Sequence, residues 1–371
     1  MNLIGEINLI NMLKKVKKAS RSLFYLPLVL SFIGLFVVFE ASSVKAFSEY
    51  SNSFYFSRLQ FIWIIGGFIL MLFFSKFDYR KLYYLAFPLM LTTIVLLMLV
   101  LIPGIGTSAG GARRWIDLGI INFQPTEIAK FSVIIYLCSW FLNRERKRFA
   151  SFVGLLSILM FLIILQPDLG TAIIVFSISI IIYFIAGVQI NYLLLFIPFA
   201  FLSFYLLINI SPYRFRRLTA FLDPSSDPLG IGYHINQILI SLSNGGLFGL
   251  GFGISKQKYL YLPEAHTDSI FAIFSEEFGF IGGVLLILAF IALLYKIYVV
   301  SYSIPDRFGK FLSGGILAYF GLQVIINLGG MVNLFPLTGV PLPFISYGGS
   351  NLLVSFALIG IIINIGSKHN R

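Results

Sequence analysis

Charge is scarce in this sequence: of its 371 residues only 11% are Asp, Glu, Lys or Arg, whereas 58% are hydrophobic, and its mean hydropathy is +0.92. A soluble protein of this length needs far more charge. The apolar residues also form long uncharged runs, rather than the alternating or 3.6-residue patterns of half-buried strands and helices. Because a lipid bilayer accommodates such runs, the sequence predicts an integral membrane protein.

Cysteine and histidine are almost absent. The one cysteine, Cys138, lies in an apolar run, which excludes a disulfide within the chain and indicates a small buried hydrophobic side chain. The three histidines, at positions 234, 266 and 369, lack the spacing of zinc ligands. The sequence also lacks a P-loop and a Rossmann fingerprint. We therefore assign no metal ligands and no nucleotide site from these residue types.

The apolar runs predict an all-α polytopic membrane protein of about ten transmembrane helices. Each run is close to the ~20 residues that cross ~30 Å of hydrocarbon. The runs lie at roughly 22–39, 59–75, 82–102, 126–142, 149–166, 169–187, 190–210, 268–295, 311–334 and 344–366. We interpret the first as a retained helix rather than a cleaved signal peptide, although small residues follow it at 41–43.

Basic residues separate the runs, so the net charge of +12 does not indicate a nucleic acid partner. With ten spans and both termini in the cytoplasm, the basic clusters at 14–21, 76–81, 144–148, 296–310 and 368–371 all fall on the cytoplasmic side. The arrangement gives a basic cytoplasmic N-terminus at 1–21, a membrane domain at 22–366 and a cytoplasmic tail at 367–371. Two long segments then lie outside, at 103–125 and, between helices 7 and 8, at 211–267.

These two outer segments carry basic residues of their own, against the positive-inside pattern. The residues are Arg113, Arg114, Arg214, Arg216, Arg217, Lys256 and Lys258. Because the planar guanidinium matches the geometry of phosphate, this set favours an anion site. Contact with lipid headgroups is the alternative.

Near the mouths of two spans the sequence places further candidates. Glu127 and Lys130 stand three residues apart, hence on one helix face, after a helix start at Pro125. They are either functional or a structural ion pair, and Trp115 is either functional or an interfacial anchor. The glycine-rich stretch at 245–253 forms either a backbone anion nest or a re-entrant loop packed against helices.

A carboxylate follows the second outer segment. Thr267 is a plausible N-cap, which would place Asp268 in the first turn of a helix and lower the pKa of its carboxyl. Glu276 and Glu277 would then lie ~12–14 Å deeper at 1.5 Å per residue. Carboxylates at that depth are expected to be paired or protonated.

Taken in order, the motifs resemble those of the SEDS family (shape, elongation, division, sporulation) from about residue 24 to residue 365. They are GARRWI at 111–116, QPTEIAK at 124–130, QPDLGT at 166–171, FLDP at 221–224, GGLFG at 245–249, LPE at 262–264, HTD at 266–268 and PLPFISYGGS at 341–350. Residues 255–264 resemble the division-type and sporulation-type members more than the elongation-type ones. The sequence departs from the family pattern at Ser269, where an aromatic residue is usual, and at Asn244, where a small one is common.

The resemblance implies a peptidoglycan glycosyltransferase that polymerises lipid II with inversion and releases undecaprenyl diphosphate. Asp268 matches the family's essential aspartate, either as the base or as the ligand of a divalent cation such as Mg²⁺ or Mn²⁺ that bridges the diphosphate. The resemblance makes Trp115, Glu127 and Lys130 cavity residues. The other substrate-binding candidates are the basic set of the outer segments and His266.

Partners and location follow from the same resemblance. We expect a class B penicillin-binding transpeptidase, other membrane proteins of the division machinery, and a place in the bacterial cell membrane at the septum. A lipid II flippase, a non-catalytic scaffold and an elongation-type polymerase remain the alternatives at this stage.

Overall fold

The computed structural model describes residues 3–109, 112–117, 119, 122–142, 149–187, 212–224, 227 and 230–368, with the single positions 194, 198 and 209. These residues contain eleven α-helices: α1 (Leu3–Tyr50), α2 (Tyr55–Lys76), α3 (Leu82–Leu99), α4 (Pro125–Trp140), α5 (Phe149–Leu165), α6 (Leu169–Ile185), α7 (Pro212–Leu222), α8 (Ile231–Asn244), α9 (Ile270–Ser303), α10 (Arg307–Met331) and α11 (Gly349–Lys368). A short 3-10 turn (Tyr79–Lys81) precedes α3.

Six helices, α1, α2, α3, α9, α10 and α11, contain segments long and apolar enough to cross a membrane, and α5 and α6 are shorter apolar helices. The prediction of a polytopic helical membrane protein is thereby confirmed. Apart from single positions, the predicted span at 190–210 lies outside the described residues, as does the basic cluster at 144–148.

The helix at the centre of the packing is α11. It contacts α1, α2, α4 and α10, and nearly all of its side chains are buried. In contrast α1, α2, α3 and α9 each turn large apolar side chains outward, among them Phe36, Phe61, Phe87 and Leu285. An apolar face of this kind is stable against hydrocarbon.

Two helices differ from their predicted spans. The helix predicted at 22–39 extends to Tyr50, so its last turns project beyond the apolar run. The span predicted at 268–295 begins at Ile270, ends at Ser303 and is broken at Gly279, whose φ of +68° is left-handed. A Cβ at Gly279 would lie 2.3 Å from the backbone nitrogen of Gly249, so only glycine fits this break.

The break in α9 is filled by the glycine-rich stretch. The N–H groups of Leu250 and Gly251 donate to the carbonyls of Glu276 and Glu277 at 3.0 and 3.1 Å. In return, the N–H of Phe280 donates to the carbonyl of Gly246 at 2.8 Å. Since these N–H groups already have backbone acceptors, the stretch is a packed loop, and the alternative of an anion nest is not what forms.

The first outer segment folds as a small antiparallel sheet, which the all-α prediction lacked. Its strands are β1 (Gly106–Ala109), β2 (Ala112–Asp117) and β3 (Asn122–Phe123), in the order β1-β2-β3. The register between β1 and β2 shifts between Thr107 and Ser108. Strands this short gave no alternating hydrophobic signal in the sequence.

Contacts between distant segments define two faces of the molecule. On one, which we call the Lys368 face, Lys368 forms an ion pair with Asp78, and the N–H of Tyr79 donates to Oδ1 of Asn364 at 3.1 Å. On the other, the Asp268 face, the N–H of Tyr347 donates to the carbonyl of His266 at 2.9 Å. Asp78 and Tyr79 lie between two predicted spans on the predicted cytoplasmic side, and Lys368 lies in the predicted cytoplasmic tail. These residues lie together on the Lys368 face.

Candidate active site

Asp268 lies in a chain of turns that leads into α9. The N–H groups of Thr267 and Ser269 both donate to the carbonyl of Glu264 at 3.2 Å, which closes the turns from residue 264 to residue 269. Ser269 occupies the N-cap position and α9 begins at Ile270. The predicted N-cap at Thr267 is therefore wrong, and Asp268 precedes the helix instead of standing in its first turn.

The Asp268 backbone is held by an amide from the membrane core. Nδ2 of Asn327, on α10, donates to the carbonyl of Asp268 and to the carbonyl of Val340, each at 2.8 Å. Asn327 is 3% exposed, and a buried amide in an apolar helix is retained where it makes such bonds. One side chain thus ties the Asp268 turn to the segment at 337–340.

That segment passes close to the carboxylate. Gly339 has a φ of +73°, and a Cβ built on it would lie 3.7 Å from Oδ2 of Asp268. The backbone therefore approaches the carboxylate at a position that favours glycine. Asp268 itself is half-buried and, among the described residues, forms no ion pair.

The carboxyl of Asp268 has a raised pKa, of about 6. Burial is the main cause, because it penalises the charged form, and the negative charge of Glu264 adds to it. Hydrogen bonds and the positive charge of Arg217 act in the opposite direction without cancelling the shift. The expected lowering of this pKa is therefore wrong, because it considered the helix start and neither the burial of the carboxyl nor the charge of Glu264.

Two histidines flank the Asp268 turn as neutral groups. His266 packs between the rings of Phe56 and Tyr347, with ring centroids at 4.5 and 5.7 Å. Burial, followed by the charge of Lys45, lowers the pKa of His266 to about 4. Nε2 of His234 lies 2.7 Å from Oγ of Ser269, and burial also lowers the pKa of His234 to about 4.

The guanidinium groups of three predicted arginines donate hydrogen bonds to backbone carbonyls. Nε of Arg114 donates to Gln166 at 3.0 Å and its Nη2 donates to Pro167. Nη2 of Arg214 donates to Ile164 at 3.3 Å, and Nη1 of Arg217 to Leu337 at 2.9 Å. Arg114 and Arg214 therefore hold the turn between α5 and α6, whereas Arg217 lies against the segment that passes Asp268. Arg113 and Arg216 are exposed, and Trp115 is half-buried.

Glu127 and Lys130 form the ion pair that their spacing allowed. Nζ of Lys130 lies 2.6 Å from Oε1 of Glu127, and the two side chains are 1% and 3% exposed. Nδ2 of Asn351, on α11, donates to Oε2 of Glu127 at 3.0 Å and to Oε1 of Gln323 at 3.1 Å. Gln323 stands four residues before Asn327 on α10, so this cluster lies one helical turn from the amide that holds Asp268.

The lysines of the second outer segment differ from each other. Lys256 is exposed, whereas Lys258 is buried, with Nζ 2.7 Å from Oε2 of Glu40 and 3.7 Å from Oε1 of Glu277. Glu276 accepts a hydrogen bond from Oγ of Ser255 at 2.5 Å. The two deep carboxylates are therefore hydrogen-bonded or paired, as their depth required.

Among the described residues, no three His, Cys, Asp or Glu side chains are grouped so that they could hold a metal ion. Within the part of the chain that the structure describes, the Asp268 turn brings two carboxylates together, those of Asp268 and the exposed Glu264.

Sequence reasoning missed three residues of the site. Asn327 was detectable as an amide inside an apolar run, the kind of residue that marks function in a membrane span. Gly339 and Lys45 gave no comparable signal. Their relation to the Asp268 turn arises from contacts between segments that are far apart in the chain.

Known proteins are similar to this chain over most of its length. The sequence profile of the FtsW/RodA/SpoVE family, described as cell cycle proteins, matches residues 20–371. Stage V sporulation protein E of Bacillus subtilis is 39% identical over 353 residues, which cover 93% of this chain and 96% of that protein. The probable peptidoglycan glycosyltransferase FtsW of Geobacter metallireducens is 37% identical over 379 residues, covering 99% of each chain.

Solved structures agree with the sequence relatives. A chain from a study of the structural coordination of polymerization and crosslinking by a peptidoglycan synthase complex superposes with a TM-score of 0.77 at 27% identity, covering 94% of this chain and 97% of that one. The rod shape determining protein RodA of Thermus thermophilus superposes with a TM-score of 0.69 at 26% identity, covering 94% and 96%. The resemblance drawn from the motifs is confirmed, and the chain belongs to the FtsW/RodA/SpoVE family of polytopic membrane proteins.

Proposed function

We propose that this protein is a peptidoglycan glycosyltransferase that polymerises lipid II, with Asp268 as the catalytic base. The observation that carries the proposal is the state of Asp268: a half-buried carboxylate outside the membrane spans, fixed through its backbone by Asn327, without an ion pair among the described residues, and with a pKa of about 6. The relatives named as glycosyltransferases support the reaction class.

The transfer reaction requires a general base whose pKa lies near the pH at which the enzyme works. The hydroxyl at position 4 of one GlcNAc attacks the anomeric carbon of the MurNAc on the growing chain, and undecaprenyl diphosphate leaves with inversion. Asp268 accepts the hydroxyl proton. With a pKa of about 6, it is mostly deprotonated at neutral pH and still a stronger base than an ordinary aspartate.

Cations near the turn stabilise the diphosphate as it leaves. Arg217 is one candidate, because its charge acts on Asp268 and its guanidinium reaches the segment at 337–340. Arg216 and Lys256 are exposed and available to bind substrate phosphate, as is Arg113. Arg114 and Arg214 support the site from behind, through the turn between α5 and α6.

The proposal includes the surroundings of the protein. The Asp268 face is extracytoplasmic, both termini are cytoplasmic, and the partner is a class B penicillin-binding transpeptidase of the division machinery at the septum. The division-type or sporulation-type assignment is supported by relatives of those names at 36–39% identity. Because Cys138 is buried, a cysteine at Ser108 labelled by an impermeant reagent in intact cells, with one at Ser151 protected, checks the orientation.

Reconstituted polymerisation tests the function. Purified wild-type protein with its transpeptidase partner should convert lipid II to glycan strands, and Asp268→Asn should reduce the rate by roughly 10²–10⁴-fold, the usual contribution of a general base. Asparagine keeps the size of the side chain and the backbone bond from Asn327, so the variant should fold and reach the membrane at wild-type levels.

A flippase would behave differently in the same experiment. It would move lipid II between leaflets and make no polymer, and a scaffold would show neither activity. If Asp268→Asn protein polymerises lipid II within a few-fold of wild type, the catalytic assignment is wrong.

A further inference from the structure

His234, on α8, contacts the Asp268 turn at both of its ends. Nε2 of His234 lies 2.7 Å from Oγ of Ser269, the residue that follows Asp268. The imidazole also forms a hydrogen bond with the backbone of Pro263, just before the turns begin. One side chain from a neighbouring helix therefore bridges residues 263 and 269, and the turns that carry Asp268 lie between these two contacts.

The two contacts assign the proton of the imidazole. Proline has no N–H, so its backbone can only accept, and the ring must donate in the bond to Pro263. Burial is the main reason that the pKa of His234 is lowered to about 4, against the charge of Glu264 and the bond to Pro263, and Arg217 lowers it further. The ring is therefore neutral at neutral pH, with one N–H and one bare nitrogen. With Nδ1–H on the Pro263 carbonyl, Nε2 accepts the hydroxyl proton of Ser269.

Ser269 does not use its hydroxyl in the way that is usual for its position. It is the N-cap of α9, where a serine ordinarily accepts a hydrogen bond from an N–H of the first turn, and it makes no such bond. Ser269 is fully buried, and within the described part of the chain its hydroxyl bonds to His234. The aromatic residue that is usual here in the family has no hydroxyl at Cβ. The serine therefore forms a pair with His234 instead of capping the helix.

A second contact fixes the same face of α8 against α9. Oγ of Ser241 donates to the carbonyl of Ala272 at 3.0 Å. Ser241 stands seven residues after His234, which is about two helical turns, and hence on the same face. This contact reaches α9 itself and not the Asp268 turn. It therefore provides a matched comparison for the contact that His234 makes.

We infer that His234 is a positioning residue of the transfer reaction, which fixes the orientation of the Asp268 carboxylate towards the acceptor hydroxyl. It acts through its bonds to Pro263 and Ser269. Asn327 holds the backbone of Asp268 from the membrane core, and His234 holds the residues on either side from α8. The inference rests on the proposed function, in which Asp268 is the base.

Steady-state polymerisation separates this role from a purely structural one. His234→Phe keeps an aromatic ring and removes both nitrogens. It should lower kcat roughly 10–100-fold with little change in KM, because a displacement of about 1 Å can cost that much. His234→Gln, which retains a donor and an acceptor, should recover most of the rate. Ser241→Ala loses the other hydrogen bond of this helix face, and it should lower thermal stability without lowering kcat.

Ser269→Ala tests whether the two side chains act as one unit. If they do, the double variant of His234→Phe with Ser269→Ala should lose no more rate than the more impaired single variant. Additive losses overturn the inference, as does wild-type kcat in His234→Phe.

A spectroscopic test does not depend on turnover or on a folded His234→Phe variant. The chain has three histidines, so nitrogen NMR of histidine-labelled protein gives few ring signals. At neutral pH the ring that is lost in His234→Gln should be neutral with its proton on Nδ1, and Ser269→Ala should shift its bare Nε2 signal. A proton on Nε2 contradicts the inference. The proposed function fails separately, when wild-type protein makes no glycan strands, whatever the state of this ring.

Discussion

Asp268 and Glu127 are carboxylates of one molecule in opposite situations. Glu127 is buried in the membrane core and is fully matched, with Lys130 at 2.6 Å and the amide of Asn351 at 3.0 Å. Asp268 is half-buried in a turn outside the spans, and its backbone rather than its carboxylate is what the core holds. Glu127, which has a fixed cation, has a structural role, whereas Asp268, which has none, can exchange a proton with a substrate.

The region around Glu127 and the region around Asp268 are also connected to each other, through α10. Gln323, which meets the Glu127 cluster, and Asn327, which meets Asp268, stand on one face of α10 four residues apart. The buried cluster therefore anchors the helix that positions the reactive carboxylate. This arrangement allows a rigid core to support a turn whose own carboxylate remains unpaired.

Breaking the matched pair should have the largest effect on stability. Lys130→Met leaves the charge of Glu127 buried without its cation, which typically costs about 3–5 kcal/mol of unfolding free energy. The double variant Glu127→Gln with Lys130→Met removes both charges and should recover much of that loss. Thermal unfolding of the purified proteins in detergent measures both effects.

Polymerisation by the same variants sharpens the comparison. If the pair is structural, the double variant should regain activity together with stability. A double variant that is stable but inactive would show that Glu127 or Lys130 contacts substrate, and the contrast drawn here with Asp268 would fail.

Replacing an arginine should lower stability by less, and Arg114 and Arg216 should differ in what is lost. Arg114→Ala removes two hydrogen bonds from a charged group to the turn between α5 and α6, which together should contribute about 1.5–3 kcal/mol because this half-buried side chain stays in contact with water. We expect lower thermal stability and, through the displaced turn, lower turnover. Arg216→Ala, at an exposed position, should change stability by less than about 0.5 kcal/mol and weaken only lipid II binding.

Arg114→Lys is the control for the two hydrogen bonds of Arg114. A lysine cannot reproduce two bonds from one planar fork, so it should not restore stability. Wild-type turnover in Arg114→Ala would mean that the turn between α5 and α6 does not affect the reaction, and wild-type turnover in Arg216→Ala would mean that this cation serves lipid headgroups.

Sequence alone predicted what is local and missed what is distant. The pair of Glu127 and Lys130 follows from a spacing of three on one helix, and the spans follow from uncharged runs of fixed length. The pair of Lys258 and Glu40 joins residues 218 positions apart, so no spacing indicated it. The two departures from the family pattern are of this kind too. Ser269 meets His234, and Nδ2 of Asn244 donates to Glu276 at 3.3 Å.

The error on the pKa of Asp268 has the same origin. A sequence shows that a carboxylate precedes an apolar run, but not how deeply the fold buries that carboxylate or which charges lie beside it. Here the turn closed by the carbonyl of Glu264 delays the helix to Ile270. The same turns bury Asp268 beside the carboxylate of Glu264, and both effects raise the pKa of Asp268.

The pH dependence of activity is the smallest expected effect and the most direct measure of the unpaired carboxylate. Because the charged form of Asp268 is the base, kcat/KM should fall as pH decreases through about 6, the pKa of that carboxyl. Glu264 raises this pKa and Arg217 lowers it. Glu264→Gln should therefore move the acid limb to lower pH, and Arg217→Gln to higher pH, each by less than about one unit, the typical spread of such shifts. Glu49→Gln, at an exposed position whose charge does not contribute to the shift, should leave the limb in place.

The opposite signs of the two shifts matter more than their sizes, because a loss of stability or of substrate affinity would lower activity at every pH without moving the limb. A limb that stays near pH 4 in wild-type protein, or that moves in the same direction in both variants, would show that Asp268 is not the group that accepts the proton.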